Sequence, residues 1–224
     1  MIAFDLTDLR AWLPNSLLFA IAPVRDCYSQ LQPEEQAVIE RAVDSRRHEF
    51  SSARILAHTL LTELGRGMEP LLPLPDRSPA WPQGILGSLS HSRLWCAAAL
   101  APNSKELVGV GVDIEDLRPL RSDLFAEILT PQELQSLQHD VPPQDLSARV
   151  LAVFSIKEAV YKCLYPFGNS GLGFHAMEVY FHADLNRPQI IPMEGLQERL
   201  PPGACLQAYW LQQGEVILSV VTLT

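Results

Sequence analysis

The segment GVGVDIED, residues 109–116, constrains the fold of this chain more than any other stretch. An apolar run with glycines indicates a strand inside a core, and two carboxylates, Asp113 and Glu115, follow with one residue between them. Side chains two apart on a strand point to the same face, so both carboxylates are expected to converge. Convergent carboxylates repel unless a cation lies between them, and oxygen ligands suit Mg2+. The alternative is a solvated strand end, where acidic residues are common.

The remaining patterns predict alternating helices and strands. Residues 32–65 predict one helix, or two with a break near Ser51 and Ser52, because Pro33 suits a first helical turn and Gly65 an end. Other helices are predicted within 121–137 and 148–166, and strands within 13–24, 85–101, 109–116, 176–183, 206–212 and 216–224. The polar turn at 101–106 is the candidate boundary between two α+β halves with similar succession.

A second candidate site is FSIKEAVYK, residues 154–162. In a helix Glu158 lies one turn before Lys162, and such a pair is commonly a surface ion pair worth about 0.3 to 0.5 kcal/mol. The other interpretation is that Glu158 adds a third carboxylate to a metal site, while Lys157 and Lys162 neutralise phosphate oxygens. The segment alone does not decide between these interpretations.

Two further segments could bind an anion. GSLSHSR, residues 87–93, offers hydroxyls and His91, but no Gly-x-Ser-x-Gly elbow, so a serine hydrolase is disfavoured and a structural histidine is the alternative. In the preceding helix Arg47 and Arg54 are seven residues apart and share a face. They form either an anion clamp or a solvated face paired with nearby glutamates.

Bulk properties exclude some function classes. The formal net charge of -9 argues against nucleic-acid binding, which needs a broad cationic surface. No apolar run approaches the roughly 20 residues of a membrane span, and no cationic leader precedes residues 13–24. We therefore expect a cytoplasmic protein without membrane or nucleic-acid partners.

Taken in order, these segments resemble the 4'-phosphopantetheinyl transferases of the long, two-lobed type, most closely the enterobactin synthetase component D branch. The matching motifs are R-R-x-E-F-x-x-x-R at 46–54, P-x-W-P-x-G-x-x-G-S-x-S-H at 79–91, G-x-D-x-E at 111–115 and F-S-x-K-E-A-x-Y-K at 154–162. Ala53 and His58 depart from the branch pattern, which has glycine and arginine there.

The resemblance implies a fold, an activity and partners. The fold is α+β with two pseudo-symmetric lobes: residues 1–105 on the phosphate and adenosine side of coenzyme A, and residues 106–224 with the carboxylates. The activity transfers 4'-phosphopantetheine from coenzyme A to a serine of an acyl, aryl or peptidyl carrier protein, releasing adenosine 3',5'-bisphosphate. Expected partners are carriers of fatty-acid, polyketide and nonribosomal-peptide synthases, including those of secondary metabolite and siderophore biosynthesis, and the enzyme is expected to be a monomer.

The resemblance also implies residue roles. Mg2+ would be held by Asp113, Glu115 and Glu158. The catalytic groups would be Lys157, Lys162 and Glu158, with Lys162 stabilising the leaving group and Glu158, besides holding the metal, taking the proton of the carrier serine directly or through water. The coenzyme would contact Ser90 and His91 through its phosphates, Arg47 and Arg54 on the 3'-phosphate side, Arg77 near the adenosine, and Asp113, Lys157 and Lys162 around the pyrophosphate.

Two other functional classes remain open from the residues themselves. A Mg2+-dependent phosphohydrolase or nucleotidyl transferase could use the same carboxylates and would release a nucleotide without a protein acceptor. A non-catalytic carrier-binding homologue would be expected to have lost a metal carboxylate or Lys157, and Asp113, Glu115, Lys157 and Glu158 are all present.

Overall fold

The computed structural model describes residues 4–168, 172–182 and 186–224. The helices are α1 (Thr7–Trp12), α2 (Pro33–Ile39), α3 (Asp44–Glu63), α4 (Phe125–Ile128), α5 (Pro131–Asp140), α6 (Leu146–Leu164) and α7 (Glu194–Gln197). The strands are β1 (Leu18–Pro23), β2 (Ile85–His91), β3 (Trp95–Pro102), β4 (Gly109–Asp116), β5 (Met177–Tyr180), β6 (Gln189–Pro192), β7 (Leu206–Gln213) and β8 (Val216–Leu223). None of the helices in these ranges is long and apolar enough to cross a membrane.

The two halves of the chain share one topology. Each has a three-stranded antiparallel sheet, with strand order β1-β3-β2 in the first half and β4-β8-β7 in the second. In each half a first strand is followed by a long helix, α3 or α6, and then by a hairpin whose last strand takes the centre of the sheet. This repeat confirms the predicted α+β fold with two pseudo-symmetric lobes, while the boundary after residue 105 stays a prediction.

Two glycines of β4 allow α6 to lie directly on the strand. A Cβ added at Gly111 would stand 1.8 Å from the carbonyl oxygen of Ala159, and one added at Gly109 would stand 2.7 Å from that of Cys163. No other residue type leaves room for so close an approach. The segment of α6 that carries Glu158 and Lys162 is therefore held against the first half of β4.

A row of serines joins the two halves. Ser88, Ser90 and Ser92 alternate along β2 and the turn after it, so their side chains share one face. The Val112 amide donates to Ser88 Oγ at 2.9 Å. Ser90 Oγ donates to Asp113 Oδ1 at 2.8 Å, and Ser92 Oγ donates to Asp116 Oδ1 at 2.7 Å. The halves therefore meet along β2 and β4, and a shared apolar cluster that includes Leu86, Ala97, Val112 and Leu218 fills the space between the sheets.

The predicted break in the first long helix is misplaced. The chain turns at residues 40–43, between α2 and α3, and Ser51 and Ser52 are buried inside α3. Their hydroxyls accept hydrogen bonds from the amides of Cys27 and Arg25 at 3.2 and 2.8 Å. These serines therefore attach the segment after β1 to the helix instead of interrupting it.

Candidate active site

Three predicted residues meet where the halves join. Asp113 is 3% exposed, and its Oδ1 accepts hydrogen bonds from Ser90 Oγ at 2.8 Å and from Lys162 Nζ at 2.7 Å. Lys162 Nζ also donates to Ser90 Oγ at 2.9 Å and to the carbonyl of Val112 at 3.1 Å. β2, β4 and α6 thus each contribute one polar side chain to a single network. Lys162 remains 29% exposed, so its ammonium group is accessible from solvent.

The second oxygen of Asp113 is unpaired in the part of the chain that the structure describes. Oδ2 is buried and makes no hydrogen bond with residues 4–168, 172–182 or 186–224. A buried carboxylate oxygen without a partner is costly, and such atoms commonly face an ion, a water molecule or a ligand. The inner oxygen of Asp113 is therefore available to a bound cation.

The charged forms of Glu115 and Glu158 are disfavoured near Asp113. Burial, followed by repulsion from Asp113, raises the pKa of Glu115 to about 7, although Arg118 and Lys162 oppose this. Burial also raises the pKa of Glu158, with Lys162 lowering it and Asp113 raising it further. A cation among the three carboxylates would relieve this repulsion. Burial therefore outweighs the neighbouring Lys162 in setting the pKa of Glu158.

The carboxylates are not preassembled as ligands. Within residues 4–168, 172–182 and 186–224, no group of three or more His, Cys, Asp or Glu side chains is arranged to hold a metal ion. The ammonium group of Lys162 balances Asp113 instead. The donor chemistry and the unpartnered Oδ2 fit Mg2+, whereas a three-carboxylate site would need side-chain movement.

His91, at the end of β2, lies beside an arginine that the sequence analysis did not select. Its Nε2 is 3.0 Å from Arg46 Nη1, and its Nδ1 is 3.7 Å from Glu49 Oε2. Arginine can only donate, so Nε2 accepts and the ring proton belongs on Nδ1. Burial lowers the pKa of His91. The positive charges of Arg46 and Lys162 lower this pKa further, whereas the negative charges of Glu49 and Asp113 oppose the shift. His91 is therefore a neutral imidazole held in one tautomer.

Arg47 and Arg54 contact other parts of the first half. The Arg47 guanidinium lies 4.2 Å from the centre of the Tyr28 ring and 3.9 Å from Asp44. Arg54 is buried, donates from Nε to the Leu71 carbonyl at 2.8 Å and lies over the Phe50 ring. Burial lowers the pKa of Arg54 to about 10. These contacts do not join the network of Asp113, so the coenzyme role of both arginines stays a prediction.

A cavity of about 610 Å3, called the cleft below, opens beside Lys162 and is lined by both halves. The first half contributes Arg77 and Trp81, and the second contributes Tyr161 and Tyr165. Trp81 lies on Gly87, where an added Cβ would stand 2.3 Å from its ring, which explains the spacing of these residues in their motif. Cavities of this size are typical of sites for coenzyme-sized ligands.

Arg77 lines this cavity with an unusual backbone. Its φ is +74°, a left-handed conformation that a non-glycine residue adopts at a cost of about 1 kcal/mol or more. Asp76 helps to hold the turn, because its Oδ1 accepts hydrogen bonds from the amide and hydroxyl of Ser78 at 2.9 and 2.7 Å. A strained arginine maintained at a cavity supports the prediction that it contacts a ligand.

The structure contradicts the placement of Lys157 beside the cleft. Its side chain is 0% exposed, and Nζ donates to Glu133 Oε2 at 2.7 Å and to the carbonyls of Ile128 and Phe174, each at 2.9 Å. Successive helical residues point about 100° apart, so Lys157 and Glu158 cannot both face one site. Sequence reasoning missed Glu133, whose only signal is the capping motif Thr130-Pro131-x-Glu133.

Comparison with known proteins identifies relatives along both halves. Residues 34–101 match the family described as 4'-phosphopantetheinyl transferase N-terminal domain, and residues 109–208 match the 4'-phosphopantetheinyl transferase superfamily. The chain is 35% identical over 182 residues to 4'-phosphopantetheinyl transferase Svp of Streptomyces mobaraensis, covering 79% of this chain and 71% of that protein. It is 30% identical over 199 residues to PptT, the 4'-phosphopantetheinyl transferase of Mycobacterium tuberculosis, covering 85% of each.

Two other matches cover about half of the chain. Enterobactin synthase component D of Salmonella typhimurium is 34% identical over 118 residues, covering 52% of this chain and 47% of that protein. Among solved structures, holo-[acyl-carrier-protein] synthase of Neisseria meningitidis is 20% identical with a TM-score of 0.43, covering 53% of this chain and 98% of that one.

Proposed function

Because the chain belongs to the 4'-phosphopantetheinyl transferase family, we propose that coenzyme A binds in the cavity between its halves. The protein transfers the 4'-phosphopantetheine group of coenzyme A to carrier proteins and so converts them from the apo to the holo form. The observation that supports this site is that Lys162, which is hydrogen-bonded to Ser90 and Asp113, also lines a cavity of about 610 Å3 between the halves. A phosphohydrolase without a protein acceptor is the disfavoured alternative, and so is a non-catalytic homologue.

In this proposal the pyrophosphate lies over Lys162. Its ammonium group would exchange a hydrogen bond to Asp113 for bonds to phosphate oxygens and stabilise the charge on the departing adenosine 3',5'-bisphosphate. Breaking a pyrophosphate depends chiefly on such neutralisation and on in-line placement of the attacking hydroxyl. Ser90, neutral His91 and Arg46 would donate to the phosphates from the first half, and Arg77 would contact the adenosine side.

Asp113 and Glu115, with Glu158 joining directly or through water, would hold Mg2+ in this proposal. The ion would neutralise pyrophosphate charge when bound. Glu158 keeps two candidate roles, as a ligand and as the group that accepts the proton of the carrier serine. Glu158→Gln separates them: raised Mg2+ should restore activity if the residue only ligates, whereas activity should stay low while coenzyme A still binds if it is also the base.

The acceptors would be carriers of fatty-acid, polyketide and nonribosomal-peptide synthases, including siderophore pathways, modified by a monomeric cytoplasmic enzyme. The test is mass spectrometry of apo carriers of each kind incubated with coenzyme A, Mg2+ and this protein. A mass gain of one phosphopantetheine group on the carrier serine is the expected result. Nucleotide release with no change in any carrier would contradict the proposal and favour a phosphohydrolase.

A further inference from the structure

Lys157 has no hydrogen-bonding capacity left for a ligand. An ammonium group has three donors, and those of Lys157 are directed at Glu133 and at the carbonyls of Ile128 and Phe174. The side chain is among the largest that are fully buried in the protein. A contact with a phosphate would require this lysine to leave three partners and the core together.

Glu133 makes the lysine part of a larger junction. It is 0% exposed, and its Oε2 also accepts from the amide of Thr130 at 2.7 Å, while its Oε1 accepts from the amide of Val179 at 2.7 Å. The ion pair therefore attaches the start of α5, the end of α4 and the beginning of β5 to one point on α6. That point is the residue immediately before Glu158.

The first half contains an equivalent buried pair between a capping glutamate and a residue of its long helix. Glu35 stands third in α2, after Pro33, as Glu133 stands third in α5, after Pro131. Its Oε1 lies 2.8 Å from Nε2 of His58 on the long helix α3 and accepts from the amide of Leu71 at 2.9 Å. Each half thus buries a capping glutamate against a basic residue of its long helix and a backbone amide of the following segment.

The copy in the first half has no catalytic neighbour. The residue after His58 is Thr59, whose hydroxyl donates to the Ile55 carbonyl of its own helix at 2.9 Å. A buried pair of this kind therefore orients a long helix whether or not catalytic residues lie next to it. In the second half the oriented helix carries Glu158 and Lys162, which lie one turn apart and so share a face.

We infer that Lys157 is a positioning residue that acts through Glu133: the buried pair fixes the rotation of α6, so that Glu158 and Lys162 face the cleft. The inference rests on the proposed transferase activity for its rate measurements. Lys157 contributes nothing to the binding of coenzyme A, and its effect on turnover disappears once Glu133 is also changed.

The chain offers a matched test, because its three lysines occupy three environments: Lys105 is exposed, Lys157 is buried and Lys162 lies at the cleft. Each would be changed to Met. Tm, kcat for carrier modification and the Kd of coenzyme A from calorimetry would be measured below the lowest Tm. Lys105→Met should change none of these. Lys162→Met should weaken coenzyme A about tenfold or more, the effect of losing a charged hydrogen bond.

Lys157→Met should behave differently from both. Leaving Glu133 buried without its partner should lower Tm by about 10 °C. Turnover should fall at least about tenfold, because the reacting groups lose their alignment, while the Kd of coenzyme A stays within about twofold of the wild type, because the long, partly exposed Lys162 side chain can still reach the phosphates. If Lys157→Met weakens coenzyme A as Lys162→Met does, the lysine is a ligand and the inference is overturned. If Tm falls but kcat of the folded enzyme is unchanged, the pair is only structural and the inference again fails.

Glu133→Gln keeps the test decisive if Lys157→Met does not fold. The substituted amide keeps an oxygen that can accept from Lys157 but removes the negative charge of Glu133. The side chain at position 133 does not line the cleft. Lower kcat with an unchanged Kd is expected, and wild-type kcat would overturn the inference. Where both single variants fold, the double variant should lose no more turnover than Lys157→Met alone. A wild-type enzyme that modifies no carrier would instead refute the proposed function.

Discussion

Gly111→Ala is expected to disable the enzyme through packing alone. The added Cβ would stand 1.8 Å from the Ala159 carbonyl oxygen, whereas such contacts are essentially never shorter than 3.0 Å. The backbone cannot give way as a flexible side chain could, so α6 must move away from β4 by about 1.2 Å. Overpacking of this kind destabilises proteins by about 1 to 3 kcal/mol, and sometimes more.

The same displacement reaches the site. Lys162 lies one turn after the point of collision, and a 1 Å misplacement of reacting groups can cost about 100-fold in rate. We therefore expect a loss of about 3 kcal/mol in the free energy of unfolding and of about 100-fold in kcat. Urea unfolding and mass spectrometry of a modified carrier measure the two effects.

Other glycines provide a graded control. Gly109→Ala meets its nearest backbone atom at 2.7 Å and should have a smaller effect than Gly111→Ala. Gly195→Ala, in α7, meets no atom within 4 Å and should leave both quantities unchanged or slightly improve stability. Near-normal unfolding and turnover of Gly111→Ala would refute the reasoning, because α6 would then not lie against β4 as described.

Three further predictions concern single side chains. Arg46→Ala should weaken coenzyme A binding about tenfold, whereas Arg47→Ala should have the smaller effect because Arg47 stacks on an aromatic ring. A larger rise in Kd for Arg47→Ala than for Arg46→Ala, measured by calorimetry, would contradict this. Asp113→Ala and Glu115→Ala should each lower transfer at least about 100-fold, roughly 2.7 kcal/mol, without loss of the fold; near-normal turnover at limiting Mg2+ would contradict the metal assignment. Glu35→Gln should destabilise the protein by about 2 kcal/mol at neutral pH. Burial alone would raise the pKa of Glu35, but its hydrogen bonds to His58 and to the amides of Leu71 and Gln32 lower the pKa below its ordinary value overall. Its contribution should therefore be complete above about pH 4.5 and be lost as the pH falls through the lowered pKa. Urea unfolding of the wild type and of Glu35→Gln across pH 3 to 7 tests this. A difference in their free energies of unfolding that stayed constant with pH would contradict it.

The sequence could predict the strand of Asp113 and the helix of Lys162, because both carry strong local patterns. It could not predict which side of that helix faces the cleft. Much of α6 is buried, so no polar stripe distinguishes one face, and a lysine inside the core is tolerated only because Glu133 reaches it from another helix. Nor could the sequence predict that Arg46, rather than its neighbour Arg47, lies beside His91, because the face that each residue of α3 presents depends on tertiary packing.

The division of charge between the halves explains why the proposed site would lie at their junction. The halves repeat one topology, yet the first pairs Arg46 with neutral His91 and places Arg77 at the cleft, and the second pairs Asp113 with Lys162. A pyrophosphate that also binds a cation needs donors on one side and carboxylates on the other. Neither half supplies both sets. The serine row joins β2 to β4, and Ser90 belongs both to that row and to the proposed site, so the bonds that join the halves also bring Asp113 and Lys162 together with Ser90.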